Sequence, residues 1–369
     1  MRVVPVSTRS DRKRFIELPH RLNRGKPHWV PPLRLDESEL LDPQKNPFFE
    51  HGAAELFLAL DGESELGRIA AIEDRRHLER HGDGAAFFGF FEAASANTTT
   101  ALLGAVEEWA RGRGHQRVRG PFNPSLNDSA GLLLGEPTDP PYVLMPNGEA
   151  AYPDWVEGAG YRKVKDLWAW RIDLSRAADP RMVRIAQRVE RRAALEVRPL
   201  SMRAFDRDLA DIHSIFCEAW DDNWGFIPPS EREFGEAAKK LKLIIEPSIV
   251  QIAELDGEPV AFSVSLPDIN QLLAKIGGRL LPFGLFRLLL GRRQIDRARM
   301  ALLGVRKKHR HKGLFAPLIL RSFEAGRRLG YREGECSWTL EDNDEINRAI
   351  AAVGAERSRV YRIYEKALA

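Results

Sequence analysis

The sequence predicts an α+β protein built from two tandem copies of one unit, each a mixed sheet flanked by helices. Three observations predict it. Short segments recur in the same order at nearly one spacing. Pro5-Val6-Ser7-Thr8-Arg9 returns as Pro199-Leu200-Ser201-Met202-Arg203 (199 − 5 = 194), and Trp29-Val30-Pro31-Pro32 as Phe226-Ile227-Pro228-Pro229 (226 − 29 = 197). Asp61-Gly62-Glu63 returns as Asp256-Gly257-Glu258 (256 − 61 = 195). Three ordered matches mark an internal duplication. Both Asp-Gly-Glu triplets also separate strand-like runs, as hairpin turns do. Finally, 369 residues, 43% apolar and 30% charged, are enough for about two globular domains.

Each copy opens on an amphipathic helical stretch after its Pro-containing segment. The hairpin strands follow, over 55–60 and 66–72 in the first copy and over 250–255 and 260–266 in the second. A further apolar strand comes next (86–92; 298–305), then a helix ending near Gly114 or Gly330, then another strand (117–122; 335–339). A last helix, a glycine turn and extended segments (161–172; 359–364) close each copy. The Gly114 to Gly330 spacing is 216 (330 − 114), so the second copy carries an insertion before that helix. The predicted division is an N-terminal domain over 1–176, a linker helix over 177–194 and a C-terminal domain over 195–369.

Composition removes several classes. Fifty-six Lys and Arg against fifty-three Asp and Glu leave a net charge of +3, so neither a nucleic-acid-binding tail nor an acidic tail dominates. Cys217 and Cys336 alone exclude a disulfide scaffold or a paired-cysteine zinc site and fit a reducing cytosol. The N-terminus predicts no secretory signal, and no apolar run reaches the roughly 18 residues of a membrane span. A cytoplasmic protein is expected. No GxGxxG after a strand, GxxxxGK[ST], HExxH or GxSxG occurs, and no metal is expected.

The chemistry points to the strand–helix junction of the second copy, Leu303-Gly304-Val305-Arg306-Lys307-Lys308-His309-Arg310-His311-Lys312-Gly313-Leu314-Phe315. From Arg287 to Lys312 there are ten Lys or Arg and one acid, Asp296. A basic loop that opens a helix at a glycine offers free N–H groups and a positive dipole end, which suit a phosphate or pyrophosphate. A solvated charge run is the plain alternative. The matching stretch of the first copy, Phe91 to Asn97, has no basic residue.

The order of elements, with R-x-x-G from Arg310 to Gly313, resembles the GNAT acyltransferase superfamily, whose members hold acyl-CoA pyrophosphate at this loop. Phe315 stands where that pattern asks for a small residue, a departure that bears on acetyl-CoA specificity. Over nearly its whole length the chain resembles a family of bacterial tandem-GNAT proteins similar to bacterial ceramide synthases. The segments that carry this are Phe15-Ile16-Glu17-Leu18-Pro19, Trp29-Val30-Pro31-Pro32-Leu33, Asn46-Pro47-Phe48-Phe49-Glu50-His51, Gly67-Arg68-Ile69-Ala70-Ala71 and Phe88-Gly89-Phe90-Phe91-Glu92. Arg119-Gly120-Pro121-Phe122-Asn123-Pro124-Ser125, Glu341-Asp342-Asn343 and Tyr361-Arg362-Ile363-Tyr364-Glu365-Lys366 continue it.

The resemblance implies two GNAT-like domains and an acyl-CoA-dependent N-acyltransferase, long-chain and acting on a primary amine such as a sphingoid base. It implies acyl-CoA contacts at Leu303, Val305, Arg310, His311, Lys312, Gly313, Leu314 and Phe315. Gly304 would mark a strand irregularity that frees a backbone N–H for the thioester carbonyl, or a close packing contact. Asn343 would lie near the pantetheine arm, or simply cap a helix. Tyr361 and Tyr364 are candidates to protonate the leaving thiolate, or core aromatics. Glu341 and Asp342 are candidate bases, with His309 and His311 as alternatives. Asn123, Ser125, Asn127 and Asp128 would bind the acceptor amine or form a turn. Neither cysteine has a histidine partner evident in sequence, which favours direct attack over an acyl-enzyme.

The insertion over 269–293 is apolar, punctuated by cations and broken by Gly277-Gly278 and Pro282. It suits peripheral contact with the inner face of the membrane or the wall of an acyl tunnel, against plain packing on the core. Two other readings remain: an aminoacyl-tRNA-dependent transferase, and a non-catalytic lipid-binding protein. Nucleic acid is not an expected partner in the main reading.

Overall fold

Local signals start one helix of each copy. In the computed structural model, which describes residues 1–280 and 284–368, Thr8 and Asp11 form a reciprocal capping box on the first helix, as Ser230 and Glu233 do on a later one. In chain order the first elements are β1 Arg2–Pro5, α1 Arg9–Leu22, α2 Arg34–Leu40, β2 Gly52–Asp61, β3 Ser64–Asp74, α3 Arg75–His81, β4 Ala85–Ala93 and α4 Ala96–Gly112. They continue as β5 Arg117–Gly120, β6 Phe122–Asn123, β7 Ser129–Ala130, β8 Leu132–Leu133, α5 Ala151–Gly158 and β9 Arg162–Asp173. Then come α6 Pro180–Ala193, β10 Glu196–Pro199, α7 Phe205–Trp220, α8 Glu231–Leu241, β11 Val250–Leu255, β12 Glu258–Pro267, α9 Asn270–Ile276 and α10 Gly284–Gly291. The last are β13 Arg297–Val305, α11 Phe315–Arg328, β14 Glu333–Leu340, α12 Asp344–Ala352 and β15 Glu356–Ala367.

Each strand expected from the hydrophobic pattern is present, and the fold is α+β with the same order of elements twice. The Asp-Gly hairpins close differently in detail. Leu255 pairs with Glu258, so Asp256 and Gly257 form the loop, both at positive φ (52° and 80°), as a type I′ turn requires. In the first copy Asp61 pairs with Ser64, and the loop is Gly62-Glu63.

The chain divides into two compact units. Unit 1 is Met1–Leu167, Leu272–Arg287 and Val360–Ala369; unit 2 is Trp168–Gln271 and Leu288–Arg359. Unit 1 thus takes in the last strand and part of the insertion from the second repeat, and unit 2 the end of β9 from the first. In unit 1 the strand order is β1-β2-β3-β4-β5-β15, and its core gathers Phe57, Ile69, Phe88, Leu102, Val106, Val118 and Tyr364. In unit 2 the order is β9-β14-β13-β12-β11-β10, over a core that includes Ile215, Phe216, Val250, Ile252 and Phe262.

The insertion behaves in two ways. On α9, Leu272 and Leu273 are buried, and Arg34 clasps the turn after it: its backbone N–H and guanidinium donate to the Gly278 and Gly277 carbonyls at 3.3 and 2.8 Å. On α10, Phe286 and Leu290 are 64% and 79% exposed. Leu281-Pro282-Phe283, within the same segment, lie outside the described residues.

Candidate active site

Two parallel strands that part company make the cleft of unit 2. β13 and β14 pair from Arg297 opposite Glu333 to Met300 opposite Cys336, and no further. Beyond that point they splay, leaving a cavity of about 240 Å³ lined by Met300, Ala301 and Leu303–Val305 on one side and Cys336–Leu340 on the other. Trp220 of α7, Phe315 of α11 and Asn343 and Ile346 at the start of α12 complete its walls.

A register slip lies at the apex. On the other edge of β13, Val264 faces Leu302 but Ser265 faces Met300, so Ala301 has no opposite residue there, and the β14 pairing has already ended. This bulge leaves Ala301, which lines the cleft, outside both ladders. The strand irregularity therefore sits at Ala301 rather than Gly304. Gly304 is required by packing, because a Cβ there would lie 2.6 Å from the Trp220 ring and 2.8 Å from that of Phe262.

After β13, Lys307–Lys312 form a 3₁₀ turn that ends at Gly313 with φ 72°, a conformation glycine adopts without strain. The next helix, α11, starts with no side-chain cap. Ala316 N–H donates to the Gly313 carbonyl at 3.3 Å and Pro317 has none to give, so the Leu314 and Phe315 N–H groups are the ones that can face an anion. The loop is fastened to the end of α7. Arg306 donates to Glu218 at 2.7 Å, Lys307 to Asp221 and Asp222 at 3.0 Å each, and Arg310 to the Ala219 carbonyl at 2.7 Å. These carboxylates neutralise the cations that hold the loop's shape, whereas Lys308, His311 and Lys312 are exposed. His309 is half-buried, and burial, then Lys312 and Lys308, push its pKa down.

β14 carries a polar face into the protein. Ser337, which lines the cleft, donates its hydroxyl to Glu335 Oε1 at 2.6 Å. Arg299 of β13 donates from Nε to Ser337 Oγ at 2.8 Å and from its terminal nitrogen to the Ser337 carbonyl at 2.9 Å. Glu335 is 1% exposed, and burial raises its carboxyl pKa against the opposing pull of Ser337, Arg299 and Arg359. Sequence reading missed this group. Its signal was the alternation Glu333, Glu335, Ser337, Thr339 along a strand with neighbours on both sides, where an apolar run is expected.

Neither cysteine is set up as a nucleophile. Burial, then the charge of Glu335, push the Cys336 thiol up to about 12. Cys217 does have a histidine beside it, which sequence reading did not find: His213 Nε2 lies 3.4 Å from its sulfur. The same Nε2 lies 2.9 Å from the Pro229 carbonyl, which can only accept, so this nitrogen carries the proton and cannot take one from sulfur.

Of the other residues singled out from sequence, Leu303, Val305, Arg310, Phe315 and Asn343 line the cleft. Asn343 also caps α12, accepting the Ile346 N–H at 3.4 Å, as its plainer reading expected. Glu341 is half-buried and Asp342 exposed in the turn after β14, and the cleft lining includes neither. Tyr361 and Tyr364 are fully buried on the part of β15 that belongs to unit 1; Tyr364 donates to Glu157 at 3.1 Å. Ser125 is drawn into a turn, donating to Asp128 at 2.6 Å and accepting the Asn127 N–H at 3.2 Å. Asn123 accepts the Phe90 N–H at 2.5 Å within unit 1.

A protein of Caulobacter vibrioides named bacterial ceramide synthase is 38% identical over 379 residues, covering 99% of this chain and 97% of that protein. Protein YghO of Escherichia coli is 34% identical over 368 residues, covering 97% and 93%. A solved tandem GNAT protein from the clavulanic acid biosynthesis pathway matches 100% of this chain and 98% of its own, with a TM-score of 0.59 at 14% identity. A GCN5-related glucosamine N-acetyltransferase region of a fungal multi-domain β-N-acetylglucosaminidase covers 99% of this chain and 38% of that one, with a TM-score of 0.56 at 12% identity. These two share the fold. No family model matches the chain. The full-length identities decide the family: the chain belongs with these two proteins to a ceramide-synthase-like family of tandem GNAT proteins and is an acyl-CoA-dependent N-acyltransferase.

Proposed function

We propose that the chain moves a long acyl chain from acyl-CoA to the primary amine of a sphingoid base. The observation that carries the lipid substrate is its full-length likeness, at 38% identity, to a protein named ceramide synthase. The second repeat, 195–369, holds the acyl-CoA, and the first, 1–176, holds none. The N–H groups at Leu314 and Phe315 bind the pyrophosphate at the uncapped start of α11, with Gly313 turning the chain into it. Lys308, His311 and Lys312 add charge, and Arg310 keeps the loop on α7. The bulged backbone of Ala301 presents an N–H to the thioester carbonyl, where negative charge grows as the amine attacks. Asn343 steadies the pantetheine arm. Transfer is direct, since Cys336 stays protonated and the His213 nitrogen facing Cys217 cannot act as its base.

A long chain contributes about 0.8 kcal/mol for each buried CH₂, so a partly covered acyl path already separates palmitoyl-CoA from acetyl-CoA. Phe286 and Leu290 of α10, one turn apart and exposed, suit shallow insertion at a membrane surface. The working place is the cytoplasmic face of the membrane, with no nucleic-acid partner.

Titration calorimetry with acetyl-CoA and palmitoyl-CoA, below micelle formation, tests the donor. Palmitoyl-CoA should bind at least tenfold more tightly, and Gly313→Trp should abolish that binding. Mass spectrometry of the product with sphinganine should then show the N-palmitoyl amide. Equal affinity for both donors would remove the long-chain assignment; no binding of either would remove the second repeat as the donor site.

A further inference from the structure

The hydrogen-bond count of one hydroxyl on β14 leaves room for a substrate. A serine hydroxyl has one proton and two lone pairs. The Ser337 proton goes to Glu335 Oε1 at 2.6 Å, because a carboxylate oxygen facing it accepts. One lone pair takes Arg299 Nε–H at 2.8 Å. The second lone pair is left, on an atom whose residue lines the cleft beside Ala301. Behind it, Glu335 Oε2 is buried without a hydrogen-bond partner. A buried carboxylate oxygen with no donor is costly, and such groups persist where function needs them.

We propose that Ser337 and Glu335 form the proton path for the acceptor amine: Ser337 Oγ takes an N–H of the incoming nitrogen and passes a proton to Glu335. Ser337 is the catalytic contact, and Glu335 acts through it as the positioning and accepting group. The proposal rests on reading the β13/β14 cleft as the acyl-transfer site. Arg299 holds Ser337 at both its hydroxyl and its carbonyl, which fixes the place of that hydroxyl on β14.

The step balances without a further reactant. An amine arriving as ammonium gives one proton to Ser337 Oγ while the Ser337 hydroxyl proton moves to Glu335. The neutral nitrogen then forms the C–N bond, the C–S bond breaks, and a second N–H proton leaves with sulfur as the free thiol. Ammonium and thioester become amide, thiol and one proton, which Glu335 returns to solvent through Ser337 after the products leave. The charged groups facing Glu335 are Arg299 of β13, Arg359 of β15 and Asp268 just past β12, itself bound by Arg297 at 2.6 Å. Burial raises the carboxyl above its ordinary value, against the opposing pull of Ser337 and the two arginines.

The test measures thiol release from palmitoyl-CoA by the full-length protein between about pH 5.5 and 9, with sphinganine and, in parallel, dodecylamine. Glu335→Gln and Ser337→Ala should each lower kcat by about 10²-fold with KM for palmitoyl-CoA within about twofold. Each should also flatten the acid limb of the wild-type profile. Ser337→Thr, which keeps the hydroxyl, should restore kcat to within about fivefold, and the double variant should be no slower than Glu335→Gln alone by more than about threefold. Wild-type kcat and an intact acid limb in either single variant would overturn the path, as would fully multiplicative losses in the double. If Glu335→Gln fails to fold, the Ser337 pair decides alone. Release with dodecylamine only would remove the sphingoid assignment and leave the path readable on that amine; release with neither would overturn the reading of the cleft and the path with it.

Discussion

The two units contain the same splayed strand pair, and they treat it in opposite ways. In unit 1, β4 and β5 pair only from Ala85 opposite Arg117 to Phe87 opposite Arg119. The β3–β4 register slips as the β12–β13 register does: Arg68 faces Glu92 but Ala70 faces Gly89, with Phe90 at φ 50°. Here, however, the chain itself fills the gap. Asn123 Oδ1 caps the Phe90 amide at 2.5 Å, and the Phe122 carbonyl lies so close to Gly89 that a Cβ would meet it at 1.7 Å. The helix after β4 is capped too, since Ser95 accepts the Thr98 N–H at 3.2 Å. Unit 2 has the bulge, an open cavity and an uncapped helix behind a basic loop. A splayed strand pair exposes backbone groups that must be satisfied by something. Unit 1 spends its own side chains on them, and unit 2 keeps them for a ligand.

Substitutions on the two sides separate these fates, because unit 1 should answer in stability and unit 2 in affinity. The largest effect is expected for Gly89→Ala. Its Cβ meets a backbone carbonyl that cannot swing away, so thermal or urea unfolding should show a loss of about 3 kcal/mol or more. Acyl-CoA affinity of the protein that still folds should be unchanged. Asn123→Ala should cost about 1–3 kcal/mol of stability by uncovering the Phe90 amide, again with donor affinity unchanged. A gain of donor binding in either variant would break the comparison, showing that the first repeat retains a site. On the other side, Gly313→Ala places a side chain at φ 72° with only Val189 near, at 3.6 Å. A loop that leaves this conformation to relieve backbone strain of about 1–2 kcal/mol should bind acyl-CoA roughly tenfold more weakly, with a melting temperature lowered by no more than a few degrees.

Much of this was legible in sequence because it is local. The Asp-Gly turns, the Thr8 and Ser230 caps and the run from Arg306 to Gly313 each announce themselves within a few residues. What was not legible depends on partners distant in the chain. A one-residue slip at Ala301 is decided by which β12 residues pair with β13, and sequence reading placed it at the nearest glycine instead. Asn123 was read as an acceptor contact because nothing local ties it to Phe90. The end of β15 carries Tyr361 and Tyr364 into unit 1, an exchange that sequence order conceals. Glu335 was the nearest miss, since a polar alternation on an inner strand is visible without any structure.

A smaller effect follows from the raised pKa of Glu335. The folded state holds that proton more tightly than the unfolded chain, so the group's contribution to stability is full below the unfolded value of about 4.5 and is lost as pH rises through the folded value. Glu335→Gln removes this loss. Its melting temperature relative to wild type should therefore rise by a few degrees between about pH 5 and pH 8, even as its rate falls. An unchanged difference across that range would mean that burial does not raise the Glu335 carboxyl, and would weaken the contrast between a cleft built for stability and one built for chemistry.

The smallest effect is expected at Cys336, and it separates direct transfer from an acyl-enzyme. The residue lines the cleft, where a nucleophile would sit. Only a thiolate attacks a thioester efficiently, and a thiol pushed up to about 12 is overwhelmingly protonated at pH 8. Glu335 next to it adds to the penalty, because a second negative charge in the same buried place is opposed by the first. The carboxylate that serves the amine thus keeps the neighbouring sulfur inert. Cys336→Ala should leave kcat within about threefold of wild type, the residual loss coming from the space the sulfur filled. Intact-protein mass spectrometry after palmitoyl-CoA alone should show no added acyl mass. A burst of free thiol before any amine is added, lost in Cys336→Ala, would replace direct attack with a covalent path and make the cleft of unit 2 a nucleophile's pocket.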